Sequence, residues 1–581
     1  MRKFWAWLKR KTAIPSPGEF QERRGRILIV GLGLVYGAVF VRATFLQVLP
    51  LSHPSLSYIA DHQYQKDLAI SPDRGAIFDR KGEPFAISVK KESVAINPAV
   101  FDNSRKTARS VAQVLGLSTD AVQKASRKKS YFAWLKRKVS KSQASRIEAL
   151  GIKGIHLIGE PSRFYPVGSV AAHLIGLVGI DNQGLMGLEK ELDQDLQGKK
   201  AEYEIHRDGK QRIIFLQPGG INPEKTGNNV YLTIDRPIQE ITERALQSGV
   251  EAAEAKKGFA VVADPHTGKI LAVANYPTFN PNHFQASDMA SSYNQAFNNL
   301  FEPGSVTKPL IVAGALDRGK VHKNQMFDCE DGMLRIGRNR IRDTKEHEKL
   351  TVTETLVFSS NICTYKIAQE MGANATYETL RKFGIGSQAT KLGLAGEQRG
   401  YLMPAKKWRD IRFANIAFGQ GFMTTGMEII TGISAIANGG NLVKPMLIER
   451  VETSDGKVLS SHSSTVIRRV IKPKTAALVR SMMREVVEHE RGSGSRAKNE
   501  FYSIAGKTGT AQKIDPGKKG YSAKRRTASF VGFAPVDDPA IIIYVVIDEP
   551  GVWPYYGGRW AAPVVKEIAV GTLRYLNVPQ D

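Results

Sequence analysis

The chain has 581 residues, 42% hydrophobic and 24% charged, and no low-complexity tract or repeat. That composition excludes disordered and fibrous classes and leaves room for two or three domains with cores of their own. Lys and Arg outnumber Asp and Glu by 82 to 56, a net charge of +26, which points to an anionic partner such as nucleic acid, a membrane surface or an acidic polymer.

The N-terminus separates those options. Ile27 to Val41 is an unbroken apolar or small run, and apolar residues resume beyond Arg42 as far as Leu49. The span 27–49 is 23 residues long, and a bilayer needs about 20; Arg42 can snorkel to the head groups. Arg2, Lys3, Lys9, Arg10, Lys11, Arg23, Arg24 and Arg26 precede it, and the next basic residue after Arg42 is Lys66. The positive-inside rule keeps residues 1–26 in the cytoplasm and exports the chain beyond the span, as a single-pass protein. No small-residue cleavage site comes after the run, so it reads as an uncleaved anchor. Export argues against a nucleic-acid partner and leaves anionic lipid or an acidic wall polymer. Gly33 and Gly37 form a G-x-x-x-G pair inside the span, a pattern that allows close approach of a second membrane helix.

Residues 50–225 read as short strands and helices broken by Pro and Gly, a non-catalytic domain ahead of a second domain at 226–581. Within it, Lys124 to Arg146 carries nine basic residues with Tyr131, Phe132 and Trp134 among them. Its apolar residues recur at helical spacing, so a solvated helical face is the expectation, not a nucleic-acid patch. Beyond Val230, strand-like runs (VYLTI, FAVVAD, KILAVA) alternate with longer helical stretches. The two cysteines, Cys329 and Cys363, make no disulfide framework, and their connectivity is open. Cys363 reads as a small buried hydrophobe two positions after Asn361.

Three short motifs then come in order: Ser305-Val306-Thr307-Lys308, Ser359-Ser360-Asn361 and Lys507-Thr508-Gly509. They fit S-x-x-K, S-x-N and K-T-G, the signature of serine enzymes that acylate on penicillin. Singly each is weak: S-x-x-K recurs at Ser88, Ser126, Ser454 and Ser495, and Lys225-Thr226-Gly227 is a second K-T-G. Only the set that begins at Ser305 has the order, with room for an all-helical subdomain between the first two motifs. Ser305 and Lys308 are three apart, on one helix face. A serine hydroxyl needs a base, and a lysine serves only if burial or a like charge, here Lys507, lowers its pKa. Ser359 can relay a proton, and the Asn361 amide can orient a peptide. Ser503 to Gln512 reads as a strand with space for a substrate alongside, where Lys507, Thr508 and Thr510 face its carboxylate. The N–H groups of Ser305 and Thr510 are the candidate oxyanion hole. ASFVGFAPVDDPAIIIYVVID gives two further strands around a turn at Pro535–Pro539.

With these residues in view, the chain resembles a class B penicillin-binding protein, most like the division-type peptidoglycan D,D-transpeptidase. The likeness extends through RGAIFDRKG (Arg74–Gly82), RFYP (Arg163–Pro166), GLMGLE (Gly184–Glu189), VYLTIDRPIQ (Val230–Gln239), DPHTGKILAVA (Asp264–Ala274), AFGQG (Ala417–Gly421) and GKTGTAQ (Gly506–Gln512). One departure is Gly492-Ser493-Gly494, where the family more often has G-T-G. The resemblance implies an α+β fold: a membrane helix, an elongated mixed pedestal, and a transpeptidase domain with an antiparallel sheet, helices on both sides and an all-helical subdomain. It assigns Ser305 as acylated nucleophile, Lys308 as general base, Ser359 as proton relay and Asn361 as substrate holder. Lys507, Thr508, Gly509 and Thr510 fall on the carboxylate side. The implied reaction acylates Ser305 with a D-Ala-D-Ala stem peptide, releases D-Ala and passes the acyl group to an amine of a neighbouring strand. β-Lactams are implied as inhibitors, and no metal or organic cofactor is implied. The implied location is the inner membrane with the catalytic domain in the periplasm; the implied partners are a polytopic lipid-linked glycan polymerase and other division proteins. An elongation-type transpeptidase, a carboxypeptidase and a vestigial scaffold are the alternatives.

Overall fold

The computed structural model describes residues 17–48, 68–70, 72–130, 132–198, 201–203, 205–207, 213–216, 226–394, 396–515, 517 and 520–581. The basic residues before Pro17, and Leu49, Tyr131 and Lys225, lie outside them. The first element, α1 (Pro17–Val48), is a single helix. Its apolar side chains face outward, Ile27 72% and Phe40 73% exposed, and the stretch Arg24–Thr44 is long and apolar enough to cross a membrane. Among the described residues the stretch Arg24–Thr44 buries nothing against the rest of the chain, as a lipid-facing anchor does.

A first sheet begins with β1 (Ile77–Phe78) and β2 (Pro84–Ile96). Helices α2 (Arg105–Leu115) and α3 (Thr119–Ser126) are capped by Ser104 and Ser118, whose hydroxyls accept from first-turn N–H groups. Strand β3 (Ala133–Lys136), helix α4 (Lys141–Ala149) and strand β4 (Ile155–Phe164) complete this unit. Val94, Ile96, Val111, Leu115, Ala133 and Ile147 form its small core. The run Lys124 to Arg146 is therefore not a continuous helical face, as its spacing suggested. Its centre pairs with β2 as an antiparallel strand, Ala133 opposite Ile96 and Trp134 opposite Ala95. Ladder hydrogen bonds and burial of Ala133 override the helical spacing there. Trp134 is held edge-on by Phe132 and sits under Arg137.

Strand β5 (Asn229–Leu232), helix α5 (Arg236–Ala252), and strands β6 (Lys257–Ala263) and β7 (Ile270–Tyr276) come after it. Next are α6 (Lys308–Asp317), β8 (Met333–Ile336), β9 (Asn339–Arg342), α7 (Val352–Val357) and α8 (Asn361–Met371). The segment between the first two motifs is thus not all helical. A hairpin, β8 antiparallel to β9, stands between α6 and α7, with Asn339 and three arginines supplying strand residues where a helix was expected. The chain continues through α9 (Gly426–Ala437), β10 (Ile448–Glu452), β11 (Val458–Ser461) and α10 (Pro473–Glu488). It ends with β12 (Ala505–Ile514), β13 (Tyr521–Ala534), β14 (Ile541–Asp548) and α11 (Gly557–Tyr575).

Two sheets organise these elements. The first runs β11-β10-β5-β1-β2-β3, with β4 also on β2; it therefore joins strands from both halves of the chain through the parallel pair β5–β1. The second is antiparallel, in the order β7-β6-β14-β13-β12. Alternation along β6 sends Ala260 and Val262 against α5 and α11, where they meet Leu246, Val250, Val565 and Ile568. Phe259 and Val261 point to the opposite core with Leu310 and Ile433 of α6 and α9. Both faces of the sheet are covered, and β12 is left as an edge.

The RGAIFDRKG, RFYP and GLMGLE segments, far apart in sequence, meet at one buried ion cluster. Arg74 Nε lies 2.6 Å from Glu189 Oε2 and its Nη1 2.6 Å from Asp193 Oδ1. Arg163 Nε binds Glu189 Oε1 at 2.6 Å, and its Nη1 donates to the Gly75 carbonyl at 2.7 Å. Asp79 accepts from the Lys81 and Glu83 amides and from the Arg236 amide. Arg80 pairs with Asp235 at 2.9 Å, so the same short motif ties the first unit to the start of α5.

Candidate active site

Ser305 lies in a tight 3-10 turn, Gly304–Thr307, that runs directly into α6. Pro309 sits in the first turn of that helix, where its missing N–H leaves no bond unmade. The turn is fixed from outside by the AFGQG segment: the Gly304 amide donates to the Gly419 carbonyl at 2.8 Å. Gly419 has φ +90°, and a Cβ there would stand 1.9 Å from the Gly304 oxygen. Gly419→Ala is therefore expected to displace the Ser305 turn and slow acylation by about 10²-fold; stopped-flow labelling with a chromogenic β-lactam checks this.

Ser359 occupies the corner between α7 and α8 in the left-handed region, φ +61°, a strained conformation for a residue with a side chain. Its partners hold it. Lys308 Nζ donates to the Ser359 carbonyl at 2.6 Å and to Asn361 Oδ1 at 2.8 Å, and its distance to Ser359 Oγ is 3.4 Å. Ser360 caps α8, its hydroxyl accepting from the Cys363 amide at 3.0 Å.

Lys507 reaches the same point from the edge strand. Its Nζ donates to Ser359 Oγ at 2.8 Å and lies 3.2 Å from Thr508 Oγ1; the Thr508 hydroxyl continues to Ser493 Oγ at 3.1 Å. Strand β12 fits against the serine turn because Gly509 has no side chain: a Cβ there would come 2.8 Å from Val306 Cγ1 and 2.3 Å from Ser529 Oγ. Thr510 is half-buried, and its hydroxyl accepts from Gly557 N at 3.2 Å, at the start of α11. The structure thus brings Ser305, Lys308, Ser359, Asn361, Lys507, Thr508, Gly509 and Thr510 to the place where α6, the α7–α8 corner and β12 meet. The hydrogen bonds of Lys308 go to Ser359 and Asn361, not to Ser305.

Both lysines are fully buried, at 0% exposure. Burial pushes the Lys308 amine down to about 7, against the opposing pull of the Asp343 carboxylate. Lys507 is also held well below the usual lysine range, by burial first and the charge of Lys308 second. Burial is thus the first cause for both amines, one of the two causes the sequence offered.

Two features had no sequence signal. Asp343 receives the Asn361 amide at 2.5 Å and the Ile362 amide at 3.2 Å on Oδ1, and the Ser360 hydroxyl on Oδ2. It clamps the second motif from the end of the hairpin, yet in sequence it is one acid in a charge-rich run. Cys329 and Cys363 are joined as a disulfide, Cα–Cα 5.2 Å. Cys363 is buried as expected, but as half of a cross-link tying the first turn of α8 to the loop before the hairpin.

Comparison with known proteins gives a consistent answer. Residues 258–569 match the penicillin binding protein transpeptidase domain, and residues 69–232 match the penicillin-binding protein dimerisation domain. The chain is 34% identical to a probable peptidoglycan D,D-transpeptidase, PbpC, of Pseudomonas aeruginosa over 565 residues, 97% of each chain. The chain belongs to the penicillin-binding transpeptidase family. Among other relatives, peptidoglycan D,D-transpeptidase FtsI of Escherichia coli is 33% identical over 548 residues, 93% of this chain and 90% of that one. The crystal structure of penicillin binding protein 3 from Mycobacterium tuberculosis, complexed with aztreonam, superposes with a TM-score of 0.70 at 28% identity. It covers 88% of this chain and 98% of that one. Family membership accounts for the α+β architecture with a single N-terminal apolar helix, and for a serine-acylating enzyme that takes peptidoglycan stem peptides and β-lactams.

Proposed function

We propose that this protein is a membrane-anchored peptidoglycan D,D-transpeptidase that cross-links stem peptides through an acyl-enzyme at Ser305 during septal wall synthesis. The observation that carries the reading is the pair of fully buried lysines meeting at Ser359 beside the Ser305 turn. A deprotonated Lys308 takes the Ser305 proton, and Oγ attacks the carbonyl between the two D-alanines. The Ser305 and Thr510 N–H groups hold the resulting oxyanion. Ser359, in contact with both amines, returns the proton to the leaving D-Ala nitrogen. Asn361 orients the donor backbone, and Lys507, Thr508 and Thr510 bind its carboxylate side, with Gly509 leaving room. Among the described residues the outer edge of β12 pairs with no strand, which lets an extended peptide add as a further one. An amine of a second strand then attacks the ester, and Ser305 leaves as the alcohol.

The domain division supported by this reading is a tail at 1–26, an anchor at 27–49, a pedestal at 50–225 and a catalytic domain at 226–581. The tail lies in the cytoplasm, the anchor in the membrane, and the pedestal and catalytic domain beyond it. For partners, we propose a polytopic lipid-linked glycan polymerase contacted through the anchor and the pedestal; intact complex formation by Gly33→Leu/Gly37→Leu would remove the anchor glycines from that contact. The test of the function is covalent labelling of the full chain by a fluorescent penicillin. Label on the wild type and none on Ser305→Ala is the expected result; no label on folded wild type overturns the acyl-enzyme reading.

A further inference from the structure

The β8–β9 hairpin divides its residues sharply between two faces. Leu334, Ile336 and Ile341 pack inward against the main core. The outward face carries Arg335 directly opposite Arg340, and Arg342 opposite Met333, with Arg338 in the connecting turn. All four arginines are exposed. Like charges directly across a strand pair are destabilising, and among the described residues none of the four is paired with an acid. The Arg335 guanidinium donates only to the Gly337 carbonyl, at 3.1 Å. The acids of the segment, Asp328, Glu330, Asp331, Asp343, Glu346 and Glu348, all lie before Met333 or after Arg342. Charge is therefore segregated, not mixed, and the fold itself has no use for the concentration at the tip.

Its position gives it one. The Arg342 carbonyl accepts from Asn361 Nδ2 at 2.9 Å, and Asn361 in turn is bonded to Lys308. The basic face therefore begins one hydrogen bond from Asn361 of the proposed site. We propose that this face docks the free carboxylates of the second peptidoglycan strand, the one that supplies the acceptor amine. The proposal rests on the transpeptidase reading above. A stem peptide carries carboxylates that take no part in the reaction, and guanidinium groups bind carboxylates through paired hydrogen bonds. Four arginines on one rigid hairpin present such a strand with several weak contacts at once and hold its amine beside the proposed site.

The test compares the full chain in detergent with Arg335→Gln/Arg338→Gln/Arg340→Gln, and with Arg338→Gln alone. Binding is measured to uncross-linked peptidoglycan strands, to the same strands with their carboxylates amidated, and to phosphatidylglycerol vesicles. Labelling by fluorescent penicillin, a small ligand held on the β12 side, is followed in parallel and reports folding. The expected result is binding of carboxylate strands about tenfold weaker in the triple variant, given the small worth of each exposed pair. Arg338→Gln should move the same way by less, the deficit should vanish on amidated strands, and high salt should erase it. Penicillin labelling should not change. Unaltered strand binding in the triple variant overturns the proposal, and so does a loss confined to the vesicles, which would assign the face to anionic lipid. Failure of wild type to take penicillin would instead sink the acyl-enzyme reading, and the strand-binding comparison can be read without it.

Discussion

Glu189→Ala is expected to cost the protein about 3–5 kcal/mol, the usual penalty for removing one partner of a buried ion pair. The side chain of Glu189 is 0% exposed and those of Arg74 and Arg163 are 2% and 1%, so the change strands two guanidiniums in a place water does not reach. Arg74 keeps Asp193 and the carbonyls of Asn182 and Glu189. Arg163 keeps only backbone carbonyls and already has an unpaired Nη2. At roughly 2–4 °C per kcal/mol for a unit of this size, melting should fall by about 10 °C. Glu189→Gln keeps the volume and an acceptor and should lose less. Calorimetry of the full chain decides it, and a shift under about 2 °C would show that the cluster relaxes without its anion. Because β1 pairs with β5, loss of this cluster should also loosen the catalytic half, visible as faster proteolysis near Asn229.

How far such features are legible in sequence depends on whether local pattern or long-range packing decides them. That the three motifs stand out in sequence has a physical reason: each is a short local unit, a turn with a helix, a capped corner or an edge strand. Arg74, Arg163 and Glu189 could be picked out as parts of separate motifs, but not as one cluster, since nothing in their spacing tells which will share a buried site. Asp343 was illegible for a related reason. Its role depends on β9 ending where α8 begins, a tertiary coincidence, and an acid among Arg342, Lys345 and Glu346 carries no periodic signal. The pairing of Cys329 with Cys363 likewise depends on a loop folding back on α8. Trp134 and Ala133 show the opposite failure, a local helical spacing overruled by a free sheet edge on β2.

Lys308→Met is expected to lower the acylation rate by about 10³-fold, within the range general-base groups supply, and to leave Ser305 chemically intact but unassisted. In the wild type the rate should rise with pH and level off above about 7, because burial holds the Lys308 amine there and only its neutral form can take a proton. The limb belongs to the Lys308–Lys507 pair, since both amines meet at Ser359 and Lys507 is depressed as well. Asp343 favours the charged form of Lys308, so Asp343→Asn should move the limb to lower pH while its amide keeps an acceptor for the Asn361 amide. A limb that does not move would confine Asp343 to holding the α7–α8 corner. The linked stability change falls in a different window. Between about 7 and the ordinary lysine value of 10.5, the unfolded chain binds more protons than the folded one, so stability rises with pH there. Below about 7 both states carry the Lys308 proton, and this group adds no further pH dependence to stability. Loss of rate below neutrality with unchanged melting would therefore be the mark of the base, and a parallel fall in melting would assign the limb to unfolding instead.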